Sequence, residues 1–412
     1  MNIIDETGAS KGILAPKGFE AAYTSAGIKK NNALDMALIY SETPCVAAGT
    51  FTRNRVFAAP VQWDRGLIET APCFNAIVIN AGVANACTGE KGLKDCEDTA
   101  NAVAENLSCN PENVLICSTG VIGANLPMDK IKSGIVTMAK TLSSNPENGH
   151  GAAKAIMTTD TRPKEVSVTV DIEGTPVTIG GMCKGAGMIH PNMATMLCFV
   201  TTDVLIKKKL LTAAFKEVID DSFNMISVDG DTSTNDTALV LANGKAENKI
   251  IDGKNASYET FKRALSYVCT ELAKMIAGDG EGCTALIEAT VSNAKTKEDA
   301  RTLAKSIVTS SLTKAAVFGH DANWGRILAA MGYSGVDFEP EKVDIFVSSN
   351  NGKLQLVENG IATDYSEDEA TNILSGNPVI ITADIKKGEH SATAWGCDLT
   401  LEYVKINADY RS

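Results

Sequence analysis

The sequence holds no apolar run approaching the ~20 residues that a membrane-spanning helix needs, so no span is expected. It has no surplus of positive charge either: 38 Lys and Arg stand against 50 Asp and Glu, a net charge of −12. Nucleic-acid affinity rests on basic side chains displacing phosphate counterions, so this balance argues against a polyanion-binding role. The four histidines, His150, His190, His320 and His390, are far apart and form no HExxH. The 11 cysteines, from Cys45 to Cys397, include no CxxC pair. Neither set has the spacing of metal ligands, and no metal site is expected. An odd, unpatterned set of cysteines reads as reduced and mostly buried thiols. The first residues, Met1-Asn2-Ile3-Ile4-Asp5-Glu6, lack the basic and apolar segments of a secretory signal, so a soluble cytoplasmic protein is expected. Also missing are a Walker loop and a G-x-G-x-x-G opening a helix after a strand, the two familiar phosphate cradles.

What is present is a globular composition, 44% hydrophobic and 21% charged, in a chain of 412 residues, long enough for two or three domains. Short apolar runs alternate with helical periodicity. Strands are predicted at 76–80, 113–117, 196–201 and 238–242, and a hairpin over 165–180 turning at Glu173-Gly174. The strand at 113–117 is expected to stop at Ser118-Thr119-Gly120. Helices are predicted over 91–107, 128–140, 205–222 and 257–276, with Asp129 and Asp203 as caps. Beyond Ala285 the texture changes to a strand at 286–291, a helix at 298–312, an Asn351-Gly352 hairpin turn and strands at 379–385 and 392–401. The expected class is α+β or layered α/β with mixed sheets, with a boundary that divides the chain into 1–285 and 286–412.

Three segments carry groups suited to chemistry. Lys184-Gly185-Ala186-Gly187 can bind an anion through its amides and ammonium, or can simply be a tight turn with a solvated lysine. In His190-Pro191-Asn192-Met193-Ala194-Thr195, the proline breaks regular structure and leaves Thr195 at a loop-to-strand junction. A threonine there is ordinarily a strand former. Its hydroxyl becomes a nucleophile if the preceding peptide bond is cut, because the freed α-amine, with a pKa of about 8, then sits beside it as a base. The small Ala194 on the acyl side leaves room for that attack. Such chemistry also needs donors for an oxyanion, and Thr119-Gly120, directly after a strand, offers a hydroxyl beside a flexible amide. Glu281, between Gly280 and Gly282, can meet a cationic group or remain a solvated loop acid.

Together these strings resemble one family. The run from Lys184 to Leu197 is similar to the processing and nucleophile segment of the ornithine acetyltransferases, the glutamate N-acetyltransferases of cyclic arginine biosynthesis. The likeness continues through Ala48–Thr52, Cys117–Gly123, Met157–Thr161, Val228–Thr237 and Asn323–Ile327, essentially end to end.

The resemblance implies a layered αββα core like that of N-terminal-nucleophile hydrolases, with a smaller C-terminal α/β domain whose tail returns to the site. It implies a precursor cut between Ala194 and Thr195 into an α chain (1–194) and a β chain (195–412), assembled as an α2β2 heterotetramer. Thr195 would be the nucleophile, and Thr119 and Gly120 the oxyanion hole. Thr158, Lys184, Thr195, Glu281, Asn407 and Ser412 would contact the substrates N2-acetyl-L-ornithine and L-glutamate. The family commonly has threonine at position 412; serine keeps the hydroxyl. No cofactor is implied. The family includes members that also take acetyl-CoA as donor. Two other readings stay open: a self-processing aminopeptidase or amidase of similar fold, and a non-catalytic amino-acid- or anion-binding protein.

Overall fold

A computed structural model describes residues 3–5, 12–190 and 196–409. Its first sheet has nine strands and is built around one long strand, Met36–Phe51. The first part of that strand pairs antiparallel with Glu20–Thr24 and Phe74–Val83, and Phe74–Val83 pairs parallel with Val114–Val121. Its last part pairs with Thr237–Ala242, from which the order runs on to Leu197–Thr202, Thr175–Lys184 and Lys164–Ile172. The shared strand thus carries the sheet from one layer to another.

Side-chain alternation shows how the layers stack. Along Val114–Val121, Leu115 and Cys117 enter one apolar cluster while Val114 and Ile116 enter another. Along Leu197–Thr202, Leu197 and Phe199 join that first cluster, and Cys198 and Val200 face away from it. Leu115, Ile77, Phe199 and Leu239 therefore meet between two sheet layers. Helices Gly89–Leu107 and Met128–Lys140 cover one outer face. Helices Lys208–Asp221 and Ala256–Ala277 cover the other. The order is helix, sheet, sheet, helix, and the class is α+β as expected.

A second sheet of seven strands takes six of them from Leu286 onward, beginning with Leu286–Ala294 and ending with His390–Cys397. Its seventh is Ile226–Ser227, which pairs parallel with Trp395 and Gly396. One apolar cluster runs from Phe215 and Phe261 through Ile287 and Ile381, so helix Ala256–Ala277 joins the two sheets through a common core.

Several local expectations need correction. The strand expected to stop at Ser118 continues to Val121, because Thr119 and Gly120 are paired with Ala81 and Gly82. Asp129 lies in the first turn of its helix and does not cap it. Asp203 caps no helix; its carboxylate accepts from the Thr178 and Lys17 amides at 2.8 and 3.2 Å, and the helix begins at Lys208. The helix expected over 298–312 is two, Lys297–Thr309 and Ser311–Phe318, because the Ser310 hydroxyl accepts from the Thr313 amide and starts a new one. The last strand ends at Cys397, and Leu401–Asp409 is a helix. Helix Pro146–Ala155, which the sequence reading did not anticipate, begins with proline in its first turn behind the Asn145 cap.

Candidate active site

The end of strand Val114–Val121, which is paired with Phe74–Val83, forms one wall of a cavity of about 260 Å³. Thr119 and Gly120 line it. Gly120 has φ of +130°, and a Cβ there would run into the backbone of Gly82 on the neighbouring strand. Only glycine lets the two strands approach this closely while the chain turns out of the sheet. Its amide and the neighbouring Thr119 hydroxyl are the donors expected for an oxyanion.

Thr158 forms the next part of the wall, just beyond helix Pro146–Ala155. The helix end is tied down by Lys29, whose ammonium donates to the Met157 and Ala155 carbonyls at 2.6 and 3.3 Å. Burial lowers the pKa of Lys29 to about 8.

Lys184 ends strand Thr175–Lys184 and faces the same cavity, only 7% exposed. Its ammonium is hydrogen-bonded to none of the described residues. Burial holds it below the usual lysine range. Glu281 approaches from the turn after helix Ala256–Ala277 and receives a 2.6 Å hydrogen bond from Asn407, carried in by helix Leu401–Asp409. Gly187 packs directly on that carboxylate, where a Cβ would collide with it.

Of the expected site residues, Thr119, Gly120, Thr158, Lys184, Glu281 and Asn407 line this one cavity. Thr195, Ala194, Pro191 and Ser412 lie outside the described residues. Met196, which follows Thr195 in the chain, lines the cavity, and its carbonyl accepts from the Thr237 amide at 3.0 Å.

The sequence reading missed the residues that hold these groups together. Asp229 accepts from the Met188 and Ile189 amides at 2.6 and 2.8 Å, fixing the segment that leads to position 190. Asn235 donates to the Ala84 and Ser118 carbonyls at 2.6 and 2.8 Å, anchoring the 229–236 loop to the strand that bears Thr119. Both residues lie inside the quoted string Val228–Thr237, so the signal was present without its meaning.

Among the described residues, four carboxylates line the cavity: Asp229, Asp231, Asp236 and Glu281. Among the described residues lining it, Lys184 is the one lysine or arginine. The arrangement suits a small molecule with a carboxylate at one end and ammonium groups elsewhere. Among the described residues, no group of three His, Cys, Asp or Glu is arranged to hold a metal ion, and no helix is long and apolar enough to cross a membrane.

The αββα layering, with a polar cleft of threonine, lysine and carboxylates at strand ends, defines a layered α+β protein with a small-molecule site at the edge of its sheets. Comparison with known proteins gives the family. The ArgJ family model matches residues 20–412, and the chain belongs to the ArgJ family. It is 53% identical to the arginine biosynthesis bifunctional protein ArgJ of Caldanaerobacter subterraneus subsp. tengcongensis over 397 residues, 96% of this chain and 98% of that one. It is 52% identical to ArgJ 1 of Clostridium acetobutylicum over 394 residues, 96% of each chain. The glutamate N-acetyltransferase of Methanocaldococcus jannaschii is 48% identical over 407 residues, 97% of this chain and 98% of that one.

Proposed function

We propose that this chain is the precursor of a self-processing acetyltransferase that moves the acetyl group of N2-acetyl-L-ornithine to L-glutamate. Cleavage between Ala194 and Thr195 yields chains 1–194 and 195–412, and two copies of each form an α2β2 heterotetramer in the cytoplasm. The Thr195 hydroxyl oxygen attacks the acetyl carbonyl carbon, and its proton passes to the freed α-amine. Thr119 and Gly120 hold the oxyanion. The amide C–N bond then breaks, the ornithine nitrogen takes the proton, and an acetyl-threonine ester remains. The glutamate amine attacks that ester, Thr195 recovers its proton, and N-acetyl-L-glutamate leaves. Lys184 pairs with the α-carboxylate common to both substrates. Glu281, oriented by Asn407, meets the ornithine side-chain ammonium, while Thr158 and Ser412 supply further contacts.

The observation that supports this reading is the convergence of Thr119, Gly120, Thr158, Lys184, Glu281 and Asn407 on one cavity beside the residue following Thr195. The names of the relatives agree with it: one is a glutamate N-acetyltransferase and two are bifunctional arginine-biosynthesis proteins. Bifunctional relatives make acetyl-CoA a second donor to assay with glutamate.

The first test is the mass under denaturing conditions. Cleavage predicts two species of about 20 and about 23 kDa, from dividing the chain in proportion to length; an active protein of a single 43.4 kDa species would overturn the mechanism. Thr195→Ala abolishes both cleavage and acetyl exchange. Full exchange activity in that variant would remove Thr195 from the role of nucleophile.

A further inference from the structure

Behind the cavity lies a buried ion cluster with no counterpart among the expected site residues. Lys164, with no exposed surface, donates to Asp160 at 2.7 Å and to Asp279 at 2.5 Å. Both carboxylates are also buried, and each reaches onward to a different part of the site. Asp160 accepts from the Thr158 amide at 3.1 Å and from the Gly185 amide, next to Lys184, at 2.7 Å. Asp279, two residues before Glu281, accepts from the Thr161 amide at 3.1 Å and from the Thr161 hydroxyl. Three segments distant in sequence, those bearing Thr158, Lys184 and Glu281, are therefore cross-linked through a single ammonium.

We propose that Asp160, clamped by Lys164, is a positioning residue of the site: it sets Thr158 and Lys184 in register and supplies the buried counter-charge of the Lys184 ammonium. The proposal rests on reading Lys184 as the group that receives a substrate carboxylate. Taking an ammonium out of water disfavours its charged form unless a negative group stands nearby. The charged groups acting on Lys184 are Asp160, Asp236 and Glu281 on one side of the balance, and Lys164 and Lys29 on the other. Burial pushes Lys184 down most strongly, and Asp160 is the largest opposing influence, ahead of Asp236 and Glu281. Two carboxylates around one lysine leave the cluster with a net negative charge, which a neutral scaffold would not provide.

The test is to titrate Lys184 directly in the full-length purified protein. Trace labelling with acetic anhydride across a pH series, read by peptide mass spectrometry, gives the midpoint at which this amine becomes reactive. Asp160→Asn keeps an oxygen acceptor but removes the charge, and it lowers the Lys184 midpoint by about 1 pH unit or more. Asp279→Asn, whose carboxylate is not among the main charges acting on Lys184, moves it less than half as far, and Asp160→Glu restores it towards the wild-type value. If Asp160→Asn does not accumulate as folded protein, Asp160→Ser gives the same readout. An unchanged midpoint in a folded charge-neutral variant overturns the proposal. Labelling needs no turnover, so the two ideas separate: a shifted midpoint in a protein without acetyl exchange refutes the proposed function alone. An unshifted midpoint in an active enzyme refutes this inference alone.

Discussion

Two buried aspartates show what burial alone does and what a partner changes. Asp64 lies in helix Ala59–Thr70 beneath strand Val114–Val121, accepting from the Ile116 amide at 2.8 Å and facing the Cys117 thiol. Its partners are neutral, it forms no ion pair among the described residues, and burial pushes its pKa well above the ordinary 3.8. Asp160 is also buried, yet its pKa lies below 3.8: burial opposes ionisation there too, but Lys184, Lys164 and the Gly185 amide together outweigh it. The same residue type, withdrawn from water in one chain, is pushed in opposite directions by whether a cation shares the site. The wall of the sandwich tolerates a carboxyl that prefers its proton. The cavity region holds one as an anion.

Removing Lys164 moves the second aspartate part of the way towards the first, since Lys184 still acts on it. Lys164→Met leaves Asp160 and Asp279 facing each other without their shared ammonium, and breaking a buried pair this way costs about 4 kcal/mol at pH 7. The sign with pH follows from linkage. Asp160 has a depressed pKa, so its contribution is complete above the ordinary 3.8 and is lost as pH falls through its lower folded value. Lys164 has a raised pKa, so its contribution is complete below the ordinary 10.5 and is lost as pH rises through the higher folded value. Urea unfolding of wild type and Lys164→Met should therefore diverge most across neutral pH and converge in acid. A gap that stayed constant from pH 7 down to about 3, where carboxylates protonate, would mean that the lysine acts through its shape alone. Phe199→Ala supplies the reference: this buried ring lies in the apolar layer between the sheets, and its loss costs about 3 kcal/mol at every pH measured.

Much of this contrast was legible before the fold, and the illegible part has a physical reason. The strands of the sandwich announce themselves because the layer between the sheets demands apolar side chains at alternate positions, as at Leu115 and Cys117 or Leu197 and Phe199. Gly120, Lys184 and Glu281 stand out because glycine-rich strings interrupt that alternation. Lys164 gives no such warning: as the first residue of a strand it reads as a solvated charge, and only tertiary pairing with residues 4 and 115 positions away buries it. Helix Pro146–Ala155 is silent for a related reason. Two glycines in ten residues weaken its propensity, and contacts supply the rest, with the Tyr23 ring packed against Gly151 and Lys29 holding the carbonyls at its end. Local pattern records what a single element needs. It does not record charges that balance only once distant elements meet.

The smallest expected effect sharpens the comparison from the other side. Asp64→Asn keeps the acceptor for the Ile116 amide and fills nearly the same volume, while removing a carboxyl that is unfavourable in its ionised form. Because the folded pKa is raised, the folded protein holds a proton that the unfolded chain releases once pH passes 3.8. Wild-type stability accordingly declines from that pH upward until the folded carboxyl itself ionises, and the asparagine variant escapes this decline. The variant should match wild type in acid and exceed it by about 1 kcal/mol at neutral pH. Asp160→Asn should show no such neutral-pH gain, since the charge it removes is one that the folded state favours. Denaturant midpoints for both variants at pH 4 and pH 7 decide the matter. A neutral-pH loss in Asp64→Asn would show that its carboxylate has a stabilising partner after all, and the two aspartates would then differ in degree and not in kind.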